Sequence, residues 1–193
     1  LPTVNGITFS QWVKKQVVLE KAKRRVYLFS DEFTEYNDAE IGITAYKLLT
    51  ALGYEVVIPR HVQSGRTYLS KGFVKEAKKI ANQNIHFLKG LISDDTPLLG
   101  IEPSGIITFR DEYLSLVDDD LRAEAEKIAK NALMIDEFLL TEMKAGHIHP
   151  EQFTQTTKKI KLHGHCYQKA FHLVTVTEQV LSFPKNFSVE TIP

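Results

Sequence analysis

The chain has 193 residues, is 43% hydrophobic and balances 24 Lys and Arg against 24 Asp and Glu. That length holds one domain or two small packed lobes, and a balanced charge argues against a nucleic-acid partner, which would call for a basic excess. No apolar run approaches the roughly 20 residues of a membrane-spanning helix. A single cysteine excludes an internal disulfide framework, so a reducing cytoplasm is the default.

Residues 1–22 read as a lead-in, in which Phe9, Trp12 and Val13 stand at the spacing of one helical face. Val26-Tyr27-Leu28-Phe29 then reads as a buried strand, followed by a polar loop over 30–37. Ile41, Ala45, Leu48, Leu49 and Leu52 recur at helical spacing, and Gly53 stands where a C-terminal cap belongs. Glu55-Val56-Val57-Ile58, closed by Pro59, is the next strand. A β–loop–α–β unit of this kind predicts a parallel pair with a right-handed crossover. A second loop, 60–69, leads to a helix with Ser70 as N-cap and Phe73, Val74, Ala77, Ile80 and Ala81 as its apolar face. Residues 97–101 form a third strand, and Glu102-Pro103-Ser104-Gly105 turns into a short helix from about Ile106. Asp118, Asp119 and Asp120 place negative charge at the start of a long helix, with Leu121, Ala125, Ile128, Ala132, Ile135 and Leu139 along one face.

From Lys158 the pattern restarts. Lys158-Lys159-Ile160-Lys161-Leu162 parallels Lys23-Arg24-Arg25-Val26-Tyr27-Leu28, and a loop, a helix and a strand follow in both. Both second strands end in Pro, at Pro59 and Pro193. The pattern is that of a degenerate internal duplication. The expected organisation is a lead-in at 1–22, a first α/β lobe with the long helix at 23–157, and the start of a second α/β lobe at 158–193. The fold class is α/β, with duplicated Rossmann-like β-α-β lobes, mostly parallel strands and an incomplete second lobe. Because the chain stops directly after a strand-like run, a piece of a longer polypeptide is expected.

In open α/β sheets ligands bind beyond the carboxyl ends of the strands. Four loops fit that position: 30–37, 60–69, 102–105 and 163–168. The last holds His163, His165 and Cys166, ligand types suited to zinc or iron. Their spacing matches no standard zinc pattern, and packed loop side chains are the plainer reading. Gln63-Ser64-Gly65-Arg66-Thr67 could seat an anion through backbone amides and Arg66, but a surface turn is the plainer reading. Glu102, before Pro103, is extended and suits either a base or a helix cap. Arg110-Asp111-Glu112 reads as a solvated helix face.

The chain also resembles the cysteine-rich CCG domain of iron–sulfur oxidoreductases, found in heterodisulfide reductase subunits and in the iron–sulfur parts of glycolate oxidase and FAD-linked D-lactate dehydrogenase. The matching segments are Asp31-Glu32-Phe33 with Asn37-Asp38, Ser64-Gly65-Arg66 with Ser70-Lys71-Gly72, and Gly100-Ile101-Glu102-Pro103-Ser104. They continue with Phe109-Arg110-Asp111-Glu112-Tyr113 and with His163-Gly164-His165-Cys166 and Gln168-Lys169-Ala170. The resemblance implies a duplicated α/β domain of a parent that oxidises a small 2-hydroxy acid such as glycolate or D-lactate. It implies FAD on another domain, partner domains of FAD-binding and ferredoxin-like type in the same parent, and room for an iron–sulfur cluster in that parent. Cys166 fits the family's lead metal ligand, with His163, His165, Gly65 and Glu102 as cofactor-site candidates. The chain departs from the family pattern at Tyr167, at Gln63-Ser64-Gly65 where relatives have Cys-Cys-Gly, and at Gly105 where many have Cys. Neither a cluster nor redox activity is therefore expected in this chain alone. The location implied is the cytoplasm, with the parent able to sit against the inner face of the membrane. The competing expectation is a docking module that has lost its cluster ligands.

Overall fold

The computed structural model describes residues 6–17 and 22–192. The expected pairing of Pro59 with Pro193 as strand ends therefore lies partly outside the described residues. The chain forms two compact units, Leu1–Met134 and Ile135–Pro193. The sequence boundary at 157/158 follows the repeat, whereas this division follows compactness.

The first unit opens with helix α1 (Phe9–Val13), held by a capping box between Thr8 and Gln11. Strand β1 (Arg25–Leu28) follows, exposed at Arg25 and buried for its other three residues. Helices α2 (Glu32–Tyr36) and α3 (Ala39–Ala51) lead to strand β2 (Glu55–Val57). Gly53, with φ of +95°, makes the turn between them, a conformation that costs glycine least. Then come α4 (Arg66–Leu69), α5 (Val74–Leu88), β3 (Leu98–Gly100), α6 (Pro103–Ile107), α7 (Glu112–Leu116), α8 (Arg122–Asn131) and β4 (Ala132–Met134). The strands form one parallel sheet in the order β2-β1-β3-β4.

Helices over both faces of a parallel sheet make strands of near-continuous apolar residues favourable. Val26, Leu28, Leu98 and Leu99 are completely buried, as are Ala77, Ala81, Ile85 and Leu88 on one face of α5. Helix α6 comes very close to the end of β3. A Cβ added to Gly100 would lie 2.3 Å from Ile106 Cβ, so only glycine fits there.

Three expectations need correction. Ser70 does not cap the second long helix: it ends α4, and α5 begins at Val74 behind Phe73. Helix α6 starts at Pro103, with Glu102 as its cap, because proline at the first helical position gives up no hydrogen bond. The long helix expected through Leu121, Ala132 and Leu139 is instead a 3-10 turn (Asp119–Leu121), α8, β4 and a new helix, α9 (Ile135–Lys144). Ala132, Leu133 and Met134 suit a helix face or a buried strand equally. The open edge of β3 decides, pairing Leu98↔Ala132, Leu99↔Leu133 and Gly100↔Met134.

The second unit contains α9, a 3-10 turn (Pro150–Gln152), strand β5 (Lys158–His163), helices α10 (Cys166–Ala170) and α11 (Val174–Leu181), and strand β6 (Phe187–Ile192). Strands β5 and β6 are parallel over six residue pairs, from Lys158↔Phe187 to His163↔Ile192. Strand, short helix, longer helix, parallel strand is thus the order from β1 to β2 and again from β5 to β6. This is the Rossmann-like α/β arrangement that the sequence predicts.

Candidate functional site

In the second unit, β5 delivers its last residue, His163, to an exposed position. Gly164 is buried against α11, and a Cβ there would lie 2.5 Å from Val174 Cγ2. The chain then enters α10 through a reciprocal cap. The His165 ring accepts from the Tyr167 N–H through Nδ1 (3.2 Å), and the His165 N–H donates to Gln168 Oε1 (2.9 Å). Because Nδ1 accepts, the neutral ring carries its proton on Nε2. Cys166 opens the helix as an exposed thiol, with Sγ 3.8 Å from His165 Nδ1 and 3.9 Å from Nε2.

A polar chain with buried ends stands behind this loop. Gln168 Nε2 donates to Thr177 Oγ1 (2.8 Å), and the Thr177 hydroxyl donates to Asp136 on α9. Asp136 is 7% exposed. Burial raises its carboxyl pKa above 3.8 despite the Thr177 hydrogen bond. Gln168 was legible in the sequence, since glutamine three residues after an N-cap signals a capping box. Asp136 was not, because it lies within the expected long helix and only the fold brings it to Gln168 and Thr177.

In the first unit, the equivalent strand end carries carboxylates. Asp31 caps α2 as His165 caps α10, and Glu32 takes the first helical position that Cys166 takes in the second unit. Asp31 accepts from the Phe33 and Thr34 N–H groups (2.9 and 3.0 Å) and from the Thr34 hydroxyl (2.6 Å). Its pKa is raised, chiefly by burial, with Glu102 adding repulsion. Glu32 receives the Ser64 N–H (3.0 Å) and hydroxyl (2.9 Å). The buried Tyr113 hydroxyl donates to the Ser64 carbonyl (2.9 Å), and Asn84 Nδ2 donates to Tyr113 (2.8 Å).

The remaining sequence candidates fall around this network. Gly65 adopts φ of +76° and precedes α4. The groups that could seat an anion nearby are engaged internally: the Ser64 N–H by Glu32, the Arg66 N–H by Ser64 Oγ (3.1 Å), and the Arg66 guanidinium by Glu112. Glu102 accepts from the Ser104 N–H (3.2 Å) and hydroxyl (2.7 Å), the geometry of a helix cap. Gly105 is buried, and a Cβ there would lie 3.3 Å from Asp31 Cβ. Gly65 and Glu102 thus belong to the first unit, and His163, His165 and Cys166 to the second.

Among the described residues, no group of three or more His, Cys, Asp and Glu side chains is arranged to hold a metal ion. Iron–sulfur clusters are held by about four thiolates, with histidine as an occasional substitute. One thiol with neighbouring imidazoles does not by itself fit such a cluster.

The sequence is similar to segments of dehydrogenases. It is 26% identical to D-2-hydroxyglutarate dehydrogenase of Escherichia coli K12 over 147 residues, 76% of this chain and 14% of that protein. The enzyme of the same name from Pseudomonas putida is 23% identical over 80% of this chain and 14% of its own length. One subunit of the anaerobic glycerol-3-phosphate dehydrogenase of E. coli K12 is 26% identical over 62% of this chain and 31% of its own length. The chain therefore spans only a small part of the curated relatives it matches. No family model matches it, and no solved structure does.

Proposed function

We propose that this chain is an α/β domain of a larger FAD-linked, iron–sulfur dehydrogenase that oxidises a small 2-hydroxy acid, and that it belongs to the electron-transfer part of that parent. Similarity over 76% of the chain to a D-2-hydroxyglutarate dehydrogenase carries the reading. The similarity to part of a glycerol-3-phosphate dehydrogenase supports it, as does the CCG-like loop at 163–170. Cys166 is then one ligand of a cluster completed by residues beyond those described, with His163 and His165 beside it and FAD on a separate domain. The CCG resemblance supports a cytoplasmic parent, in reach of the inner membrane face.

The first unit favours a second reading. Ser64, Glu32 and Arg66 are locked to one another, to Tyr113 and to Glu112. That is what a rigid docking module with no cluster would need. Iron and acid-labile sulfide in the full encoded polypeptide, purified without oxygen, separate the two. A coloured protein whose iron falls on Cys166→Ser substitution supports the ligand role. Iron unchanged by the substitution refutes that role, and a folded, colourless, iron-free protein favours docking.

A further inference from the structure

The first unit contains a cleft of about 680 Å³ beside the ends of β1 and β2, a size typical of small-molecule sites. The strand order reverses between β1 and β3, where ligands of open α/β sheets usually bind. Asp31 and Gly105 pack closely together there. The cleft lies on the other side of β1, with Val56, Val57, Ile58 and Pro59 among its apolar lining.

His61 is the decisive polar group in it. Its ring packs against Phe29 with centroids 4.5 Å apart, and Nδ1 lies 2.8 Å from the Val62 carbonyl oxygen. A carbonyl only accepts, so Nδ1 carries the proton. Burial holds the imidazole pKa below its ordinary 6.5, against the pull of Glu35, Asp31 and Glu32, and so favours the neutral ring. Nε2 is then a lone-pair acceptor, and it meets no hydrogen-bond partner among the described residues. The cleft also carries Lys14, Gln63 and Arg60, the last stacked over Phe87, and Gln16, whose Nε2 donates to the Trp12 carbonyl (3.0 Å). The Ser10 and Ser30 hydroxyls both donate to Glu35 (2.7 Å each), and Glu32 and Glu35 line the same cleft as carboxylates. Tyr36 and Tyr46 add ring-sized apolar surface.

We infer that this cleft binds a hydroxylated aromatic molecule, whose O–H donates to His61 Nε2 while its ring lies on the apolar lining. The inference rests on the cleft alone and stands whether or not Cys166 holds iron. It is tested with 2-naphthol and with 2-methoxynaphthalene, which has the same rings and no donor, each titrated into the intact protein by fluorescence. Saturable 2-naphthol binding is expected, with the methoxy compound about two- to tenfold weaker for want of one hydrogen bond. The His61 ring ¹⁵N signals should shift on 2-naphthol addition. His61→Phe, which keeps a ring against Phe29, should reduce 2-naphthol affinity to that of the methoxy compound. Equal affinities of the wild-type protein for the two probes would overturn the inference. So would absence of saturable binding, or binding that leaves the His61 signals unmoved.

Discussion

Asp136 sits at the end of the polar chain that holds the Cys166 loop, and its charge state follows from burial. Below 3.8 it is protonated in both folded and unfolded chains. Its folded pKa is raised, so between 3.8 and that raised value the folded state binds more protons, and stability falls as pH rises. Asp136→Asn keeps an oxygen for the Thr177 hydroxyl and removes the ionisation. Urea midpoints of the two proteins, measured from about pH 3 to about pH 7, should show the wild type losing stability relative to the variant as pH rises through this window. Parallel pH profiles would show that Asp136 ionises in the fold as easily as in water. Glu35 behaves in the opposite sense. Burial raises its pKa, but hydroxyls of Ser30, Thr8 and Ser10 outweigh burial and the net shift is downward. Its contribution to stability is therefore present above its ordinary 4.5 and is lost as pH falls through the depressed value.

Strands β1, β2 and β3 were legible because short apolar runs bounded by charge, Gly or Pro have few other readings. Strand β4 was hidden, because Ala125, Ile128, Ala132, Ile135 and Leu139 keep a helical rhythm straight across it. Only pairing with β3 shows that the middle of that run is extended. Local chemistry likewise exposed the loop around Cys166, the sole thiol flanked by histidines, and the capping role of Glu102. It could not reveal that Ser64 is held by Glu32, or Gln168 by Thr177, contacts that depend on the fold. The β3–α6 junction gives the sharpest test of an element. Gly100→Ala puts a methyl group 2.3 Å from Ile106 Cβ, and overpacking of this kind costs about 1–3 kcal/mol. The urea midpoint should fall with an unchanged m value. An unchanged midpoint would mean that α6 can move away from the strand at no cost.

Across the whole molecule the two units use the same β-α-α-β order to unequal effect. In the first, β1 and β3 lie inside a four-stranded sheet, and Val26, Leu28, Leu98 and Leu99 are completely buried. In the second, β5 and β6 form a two-stranded sheet, and neither strand has a buried residue. The difference carries over to deuterium uptake. In a two-stranded ladder only alternate N–H groups of each strand bond across it, and exposed strands open locally without unfolding the rest. The amides of β5 and β6 should therefore exchange with solvent deuterium several orders of magnitude faster than those of Val26 and Leu99, which wait for global opening. Mass spectrometry of peptic fragments reads the two regions separately, and equal protection would refute this. Strand β5 leads into Cys166, so the openings expected of this ladder would reach the helix that carries the thiol.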